Sequence, residues 1–239
     1  MTVRFGLEGR YALVCDGTSE TVRACVQRLC DEGMTVAFTG SGRERGETIA
    51  RATGATYIEC DRRDRASCDR AIELALELAG GRLDVLVTDG GPRSMGSIQT
   101  TSEADFRELL EANLTWPFRA ARASLEPMRA QGAGSMVHIA SDAGIRADHE
   151  QASYSVMSAG LIALAELFAA EGAPHGVRSN AVCPGEPSAV AGPSGRADIA
   201  ADVASLVAWL ACDESAQMSG ATLRIDQATG AAIVADTRG

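Results

Sequence analysis

The sequence predicts an α/β fold of three layers, a doubly wound sheet of seven parallel strands between two layers of helices. Two observations predict it. Short apolar runs recur at 11–15, 35–39, 56–60, 84–88, 136–140, 177–182 and 222–225, and most are continuously apolar rather than alternating, as in strands covered on both faces. Between them lie helical patterns, among them 22–31, 65–79 and 104–128. Such alternation implies right-handed crossovers and a parallel sheet. No linker, repeat or low-complexity segment intervenes, so residues 1–239 read as one domain, long enough to build a full core. Ligands of these sheets bind beyond the carboxyl ends of the strands. The positions just after Cys15, Thr39, Cys60, Thr88, Ala140 and Val182 are therefore the ones to inspect.

Composition narrows the function classes. The net charge is −10, which repels phosphate backbones and argues against nucleic acid as a partner. No apolar run is read as approaching the ~20 residues of a membrane span, and residues 1–6 lack the apolar core of a signal peptide. A cytoplasmic location is expected, with no membrane partner. The seven cysteines include no C-x-x-C pair and read as reduced, mostly buried small hydrophobes. His138, His149 and His175 are scattered, so no metal site is expected. All 22 basic residues are arginines; the chain has no lysine.

The motifs then accumulate in order. Leu7-Glu8-Gly9-Arg10-Tyr11-Ala12-Leu13-Val14 leads into the first strand, and Leu86-Val87-Thr88-Asp89-Gly90-Gly91 ends the fourth. Asn113-Leu114-Thr115-Trp116-Pro117-Phe118 follows within a helical stretch. Ser141 and Tyr154 precede Asn180-Ala181-Val182-Cys183-Pro184-Gly185, and Gly220-Ala221-Thr222-Leu223-Arg224-Ile225-Asp226 closes the series. Over nearly its full length the chain resembles the short-chain dehydrogenase/reductase (SDR) family, which implies a Rossmann fold. In that family L-V-N-N-A-G stands at 86–91, the catalytic asparagine, serine and tyrosine match Asn113, Ser141 and Tyr154, and N-x-x-x-P-G matches 180–185.

Four departures qualify what the resemblance implies. The family's cofactor turn is T-G-x-x-x-G-x-G, whereas this stretch reads Cys15-Asp16-Gly17-Thr18-Ser19-Glu20-Thr21-Val22. Asp16, Glu20 and Val22 replace all three patterned glycines, and Gly17 does not restore them. Glycine belongs there because the turn is tight and the backbone must approach the pyrophosphate. Asp16 and Glu20 also add negative charge. At ~5 Å and an effective dielectric of ~20, each would repel a phosphate charge by roughly 3 kcal/mol, against about half a positive charge from the helix N-terminus. After the second strand stands Thr39-Gly40-Ser41-Gly42-Arg43 rather than the ribose-binding acid. Arg43 reads as a solvated loop arginine more than as a contact for a 2′-phosphate. Asp61 stands where the family has an adenine-contacting aspartate, and reads equally as a cap for the following helix.

The third departure is chemical. The family motif Y-x-x-x-K is here Tyr154-Ser155-Val156-Met157-Ser158, with Ser158 in place of the lysine that lowers the tyrosine pKa and binds the nicotinamide ribose. An unperturbed tyrosine, with a pKa near 10, is about one part in a thousand ionised at pH 7, far from the poise that acid–base catalysis wants. Arg146 and Arg178 are the arginines considered as neighbours. The fourth is a deletion: only residues 186–194 separate Gly185 from Gly195-Arg196, where the family carries a helical substrate lid. Asn113, Ser141 and Tyr154 then read as hydrogen-bonding structural remnants more than as a site that orients a carbonyl or hydroxyl.

The expectation is a non-catalytic subunit that binds no cofactor itself and pairs with an active SDR subunit carrying NAD or NADP. It is similar to the inactive subunit type of heteromeric members, with a hydroxyacyl-CoA as the substrate of the pair. The helix at 154–170 is apolar nearly all round and must be covered on more than its sheet side. With the Asn113 helix, whose Trp116, Phe118, Leu125 and Met128 supply large groups, it is expected to meet the partner. A non-redox enzyme (dehydratase or isomerase) using Ser141, Tyr154 and Asp89, and a small-ligand binding module, are the alternatives.

Overall fold

The structure is a computed structural model. It describes residues 4–16, 18–91, 93–185, 199–226 and 231–235, the last five and Asp226 by backbone only. The strands are β1 Tyr11–Val14, β2 Thr35–Gly40, β3 Thr56–Glu59, β4 Val85–Asp89, β5 Gly134–Ile139, β6 Val177–Pro184, β7 Thr222–Asp226 and β8 Ala231–Ala235. They form one sheet in the order β3-β2-β1-β4-β5-β6-β7-β8. The first seven are parallel, as the sequence predicts, and β8 adds an antiparallel strand on β7. In β8 the β-branched Ile233-Val234 run pairs with Leu223 and Arg224.

Each strand feeds both helical layers, because successive side chains point to opposite faces. From β1, Ala12 and Val14 join a core with α1 (Glu20–Asp31) and α7 (Ile199–Ala211), through Val22, Val26, Val203 and Val207. Tyr11, Leu13 and Cys15 point the other way. They meet α3 (Arg65–Leu78), α5 (Trp116–Gln131) and α6 (Ala152–Gly172) through Cys68, Ile72, Leu125, Met128 and Phe168. Two double-sided cores on one sheet explain why the strands read as apolar runs.

Three helical features differ from expectation. Helix α2 (Arg43–Thr53) is polar but for a short stripe, burying Gly46 and Ile49, so its apolar period is faint. Arg43 opens this helix rather than lying in a loop, and its exposed guanidinium pairs with Glu59 at 2.6 Å. The helical stretch expected at 104–128 is two helices, α4 (Glu103–Leu110) and α5, joined by a π turn at Glu111–Thr115. Pro117, with no N–H, cannot donate to the carbonyl four residues back. The ladder widens there, and the Trp116 N–H reaches the Glu111 carbonyl. Finally, Ala152–His175 has the length and mean hydropathy, 1.5, of a membrane-spanning helix, contrary to the sequence reading. Here it is a flank of the sheet: Leu161, Ile162, Ala165 and Phe168 pack inward.

All seven cysteines are free thiols, and no cluster suited to a metal occurs among the described residues. His138 on β5 is fully buried, its Nδ1 2.8 Å from the Thr88 hydroxyl and its ring stacked near Phe168. Burial disfavours its charged form and lowers its pKa to about 4. Because the folded value lies below the unfolded value of about 6.5, stability is full above pH 6.5 and is lost as pH falls toward 4. Urea unfolding at pH 7 and pH 5 should show a loss of about 2 kcal/mol from this group, which His138→Gln, keeping a partner for Thr88 without titrating, removes.

Candidate functional site

Strands β1 and β4 are neighbours, while the chain leaves β1 toward β2 and β3 on one side and β5 to β7 on the other. Their carboxyl ends open the crevice where doubly wound folds place a ligand. Asp16 follows β1 with φ +65°, the one non-glycine residue in the left-handed region among the described residues. Its N–H donates to Thr39 Oγ1 at 3.1 Å, and its carboxylate accepts from Thr18 Oγ1 at 3.3 Å. Ser19 caps α1, accepting from the Val22 N–H, and its hydroxyl lies 3.4 Å from Asp89 Oδ2. Glu20 is exposed in the first turn of α1 and already answers the positive end of the helix. Val22 is fully buried core rather than part of a cradle. Gly17 lies outside the described residues.

The residue that dominates the crevice is Arg62, which the sequence reading did not single out. It sits between β3 and α3 on a short, tied-down turn. The Cys60 N–H donates to the Gly40 carbonyl, the Asp61 N–H to Ser67 Oγ and the Ala66 N–H to the Asp64 cap. From there the largely buried Arg62 guanidinium reaches across to Asp16 and forms an ion pair with its carboxylate. Asp89 at the end of β4 is near enough to bias it electrostatically. Burial raises the Asp89 pKa, opposed by the Arg62 charge and the Gly91 N–H. Contrary to the expectation from sequence, Asp16 is not a bare anion facing a phosphate but is neutralised by Arg62.

Gly91 shows how tightly the pair is packed. It has φ +78°, and a Cβ there would overlap both Asn113 Oδ1 and Arg62 Nη1. Asn113, buried in the π turn, thus reaches the crevice from the far side. Asp61 is exposed on the solvent side of this turn. Its carboxylate accepts from the Arg63 N–H at 3.0 Å, while Asp64 caps α3. Its role is to shape the turn that carries Arg62.

Ser141 and Tyr154 face one cavity, whereas Asn113 is not among its lining residues. Ser141 follows β5 and caps the 142–144 turn, its Oγ accepting from the Ala143 N–H at 3.2 Å. Tyr154, in the first turn of α6, is buried, and the Arg93 guanidinium carbon lies 5.9 Å from its ring centroid. With Ser19, Asp89 and Gly185 they line a cavity of about 310 Å³, near the lower end of ligand sites. Ser158, one turn on from Tyr154, is buried beneath the 142–144 turn, where a Cβ on Gly144 would sit 2.8 Å from the Ser158 Cβ. Neither arginine considered from sequence is the neighbour. Arg146 is exposed, and Arg178 binds the Leu210, Cys212 and Met218 carbonyls at the opposite, amino end of β6. Arg93 stands over the ring face instead. The shortened lid and the Gly195-Arg196 segment lie outside the described residues.

This fold and site define a class. Residues 10–193 match the family of short chain dehydrogenases, and the chain belongs to it. Among curated relatives it is 30% identical to a 3-alpha-(or 20-beta)-hydroxysteroid dehydrogenase of Mycobacterium tuberculosis, over 95% of this chain and 92% of that protein. It is also 30% identical to the 3-oxoacyl-[acyl-carrier-protein] reductase MabA of the same species, over 92% and 93%. A solved short chain dehydrogenase from Mycobacterium smegmatis superposes with a TM-score of 0.86 at 29% identity, covering 95% of each chain.

The packing at Gly91 is testable. Gly91→Ala should cost about 3 kcal/mol through strain and overlap, or about 10 °C in Tm by calorimetry. A change within 1 °C would mean that Arg62 and Asn113 are not packed on this glycine.

Proposed function

We propose that this chain is a non-catalytic SDR subunit that pairs with, and supports, a related active NAD(P)-dependent alcohol dehydrogenase subunit. The observation that carries the reading is Ser158, buried one helical turn from Tyr154 in a chain without lysine. The charge that would bring a tyrosine toward neutral pH is missing from this position. Arg93 lies over the Tyr154 ring, its guanidinium carbon 5.9 Å from the ring centroid, on an element other than the helix that carries Ser158. The crevice supports the same reading, since Asp16 and Arg62 bind each other where a dinucleotide would need room and positive charge. NAD or NADP is accordingly assigned to the partner, and none to this chain.

The partner face is argued from exposure. On α6, Val156 and Leu167 are 54% and 58% exposed, and the exposed alanines Ala159, Ala163 and Ala170 complete the stripe at helical spacing. Phe118 on α5 stands 36% exposed beside it, its ring 6.3 Å from Phe168. Small residues along the stripe let another helix approach closely. Trp116, Leu125 and Met128, also expected at this face, are buried in the chain's own core and contribute nothing to it directly. The proposed partner is a homologous SDR chain meeting the Asn113 and Tyr154 helices, with a hydroxyacyl-CoA as the substrate class. The arrangement resembles 2-[hydroxy(phenyl)methyl]succinyl-CoA dehydrogenase of anaerobic toluene degradation, to whose inactive subunit type the chain is similar. A cytoplasmic location, away from membranes and nucleic acid, goes with this role.

The second reading, a non-redox enzyme or a small-ligand binder, draws on the cavity shared by Asp89, Ser141 and Tyr154. The two readings part when the chain is expressed alone and together with an SDR homologue from the same cells that keeps the Y-x-x-x-K motif. The proposed role predicts no NAD(P)-dependent turnover of alcohols by the chain alone, and co-purification with the homologue. Leu167→Glu combined with Val156→Glu should weaken co-purification at least tenfold while leaving the monomer's circular dichroism unchanged. A soluble, well-folded homodimer that turns over substrate by itself overturns the proposal.

A further inference from the structure

We infer that Arg62 is a built-in occupant of the nucleotide crevice, a plug whose guanidinium fills the space across which a dinucleotide would pass from the β1 turn to the end of β4. The inference deepens the cofactor-free reading above and rests on it. Three observations carry it. The first is position: Arg62 starts on the β3 side, crosses the crevice, pairs with Asp16 after β1 and lies against Gly91 after β4. It therefore ties together the same two strand ends that a bound nucleotide would bridge. The second is charge. The crevice holds two carboxylates, Asp16 and half-buried Asp89, and Arg62 pairs with the first and biases the second electrostatically. A pyrophosphate entering here would have to take that cation away from Asp16, leaving two carboxylates beside two phosphate charges.

The third is backbone geometry. Asp16 holds a left-handed φ that glycine adopts without cost. An aspartate there is strained, and its carboxylate anchors Arg62 in return. The two residues thus act as one replacement: Asp16 alone would repel a nucleotide without filling its place, and Arg62 alone would be a buried, uncompensated cation. The anchored turn, held by Cys60, Asp61 and Asp64, keeps the side chain aimed inward rather than free to swing to solvent.

Removing both halves should reopen the crevice. NADH and NADPH fluorescence titrations are compared for the wild-type chain, Arg62→Ala, and Asp16→Gly with Arg62→Ala, each checked by circular dichroism. The double variant, with a glycine in the tight turn and no plug, should bind NADH or NADPH at least about tenfold more tightly than wild type, a change of about 1.4 kcal/mol. The single variant, which leaves Asp16 uncompensated, should gain less than the double. If the Ala and Gly variants do not fold, Asp16→Asn with Arg62→Val, which removes both charges and the long guanidinium arm while keeping an apolar group on the turn, carries the same expectation. A folded double variant that gains no affinity overturns the plug alone. Micromolar binding by the wild-type chain overturns the cofactor-free reading itself, so the two failures are distinguishable.

Discussion

The Asp16–Arg62 ion pair spans the point at which the chain reverses direction across the sheet, and the carboxyl edge is organised around it. A doubly wound sheet gathers the loops after β1 and β4 into one crevice, with a helix N-terminus aimed at it. The geometry suits an anion. In this chain the anion is the protein's own Asp16, and the cation that answers it is also its own. A charged pair taken out of water holds only if its geometry is good and its neighbours are polar. Thr18, Thr39, Ser19 and Asp89 supply that polar surround. Gly91 has no side chain because there is no space for one.

The same economy governs α6. One side of this helix completes a core with β5 and β6, and the other carries Val156, Ala159, Ala163 and Leu167 into solvent. The proposed partner face rests on this exposed apolar stripe, on a chain whose net charge is −10. The separation of buried from exposed groups on α5 is equally sharp. Trp116, Leu125 and Met128 turn inward and leave Phe118 to the outside. The site-forming edge and the contact face are thus built from the same helices. The N-terminal turn of α6 places Tyr154 in the wall of the cavity, and its later turns present the stripe.

Much of this was legible in the sequence, for physical reasons that also explain the misses. Strands covered on both faces must be apolar throughout, so all seven parallel strands could be read directly. Helix α2 buries little beyond Gly46 and Ile49, so its period is weak. The π turn has one signal, Pro117 within a helical stretch. The eighth strand lies in a tail whose short apolar run gave no period to count. In the site, Asp16, Glu20, Val22 and Ser158 were visible because each breaks a pattern. Arg62 was not, because an arginine before a helix reads as solvated surface. The signal that could have found it is compensation: an unexpected aspartate in a glycine position calls for a nearby cation, and a chain with no lysine must supply an arginine.

The most direct measurement is native mass spectrometry of the assembly purified from its own cells, counting dinucleotides against chains. The account predicts a hetero-assembly in which every bound dinucleotide is matched by a copy of the related active subunit, none by this chain. A homo-oligomer of this chain carrying one dinucleotide per copy would contradict it.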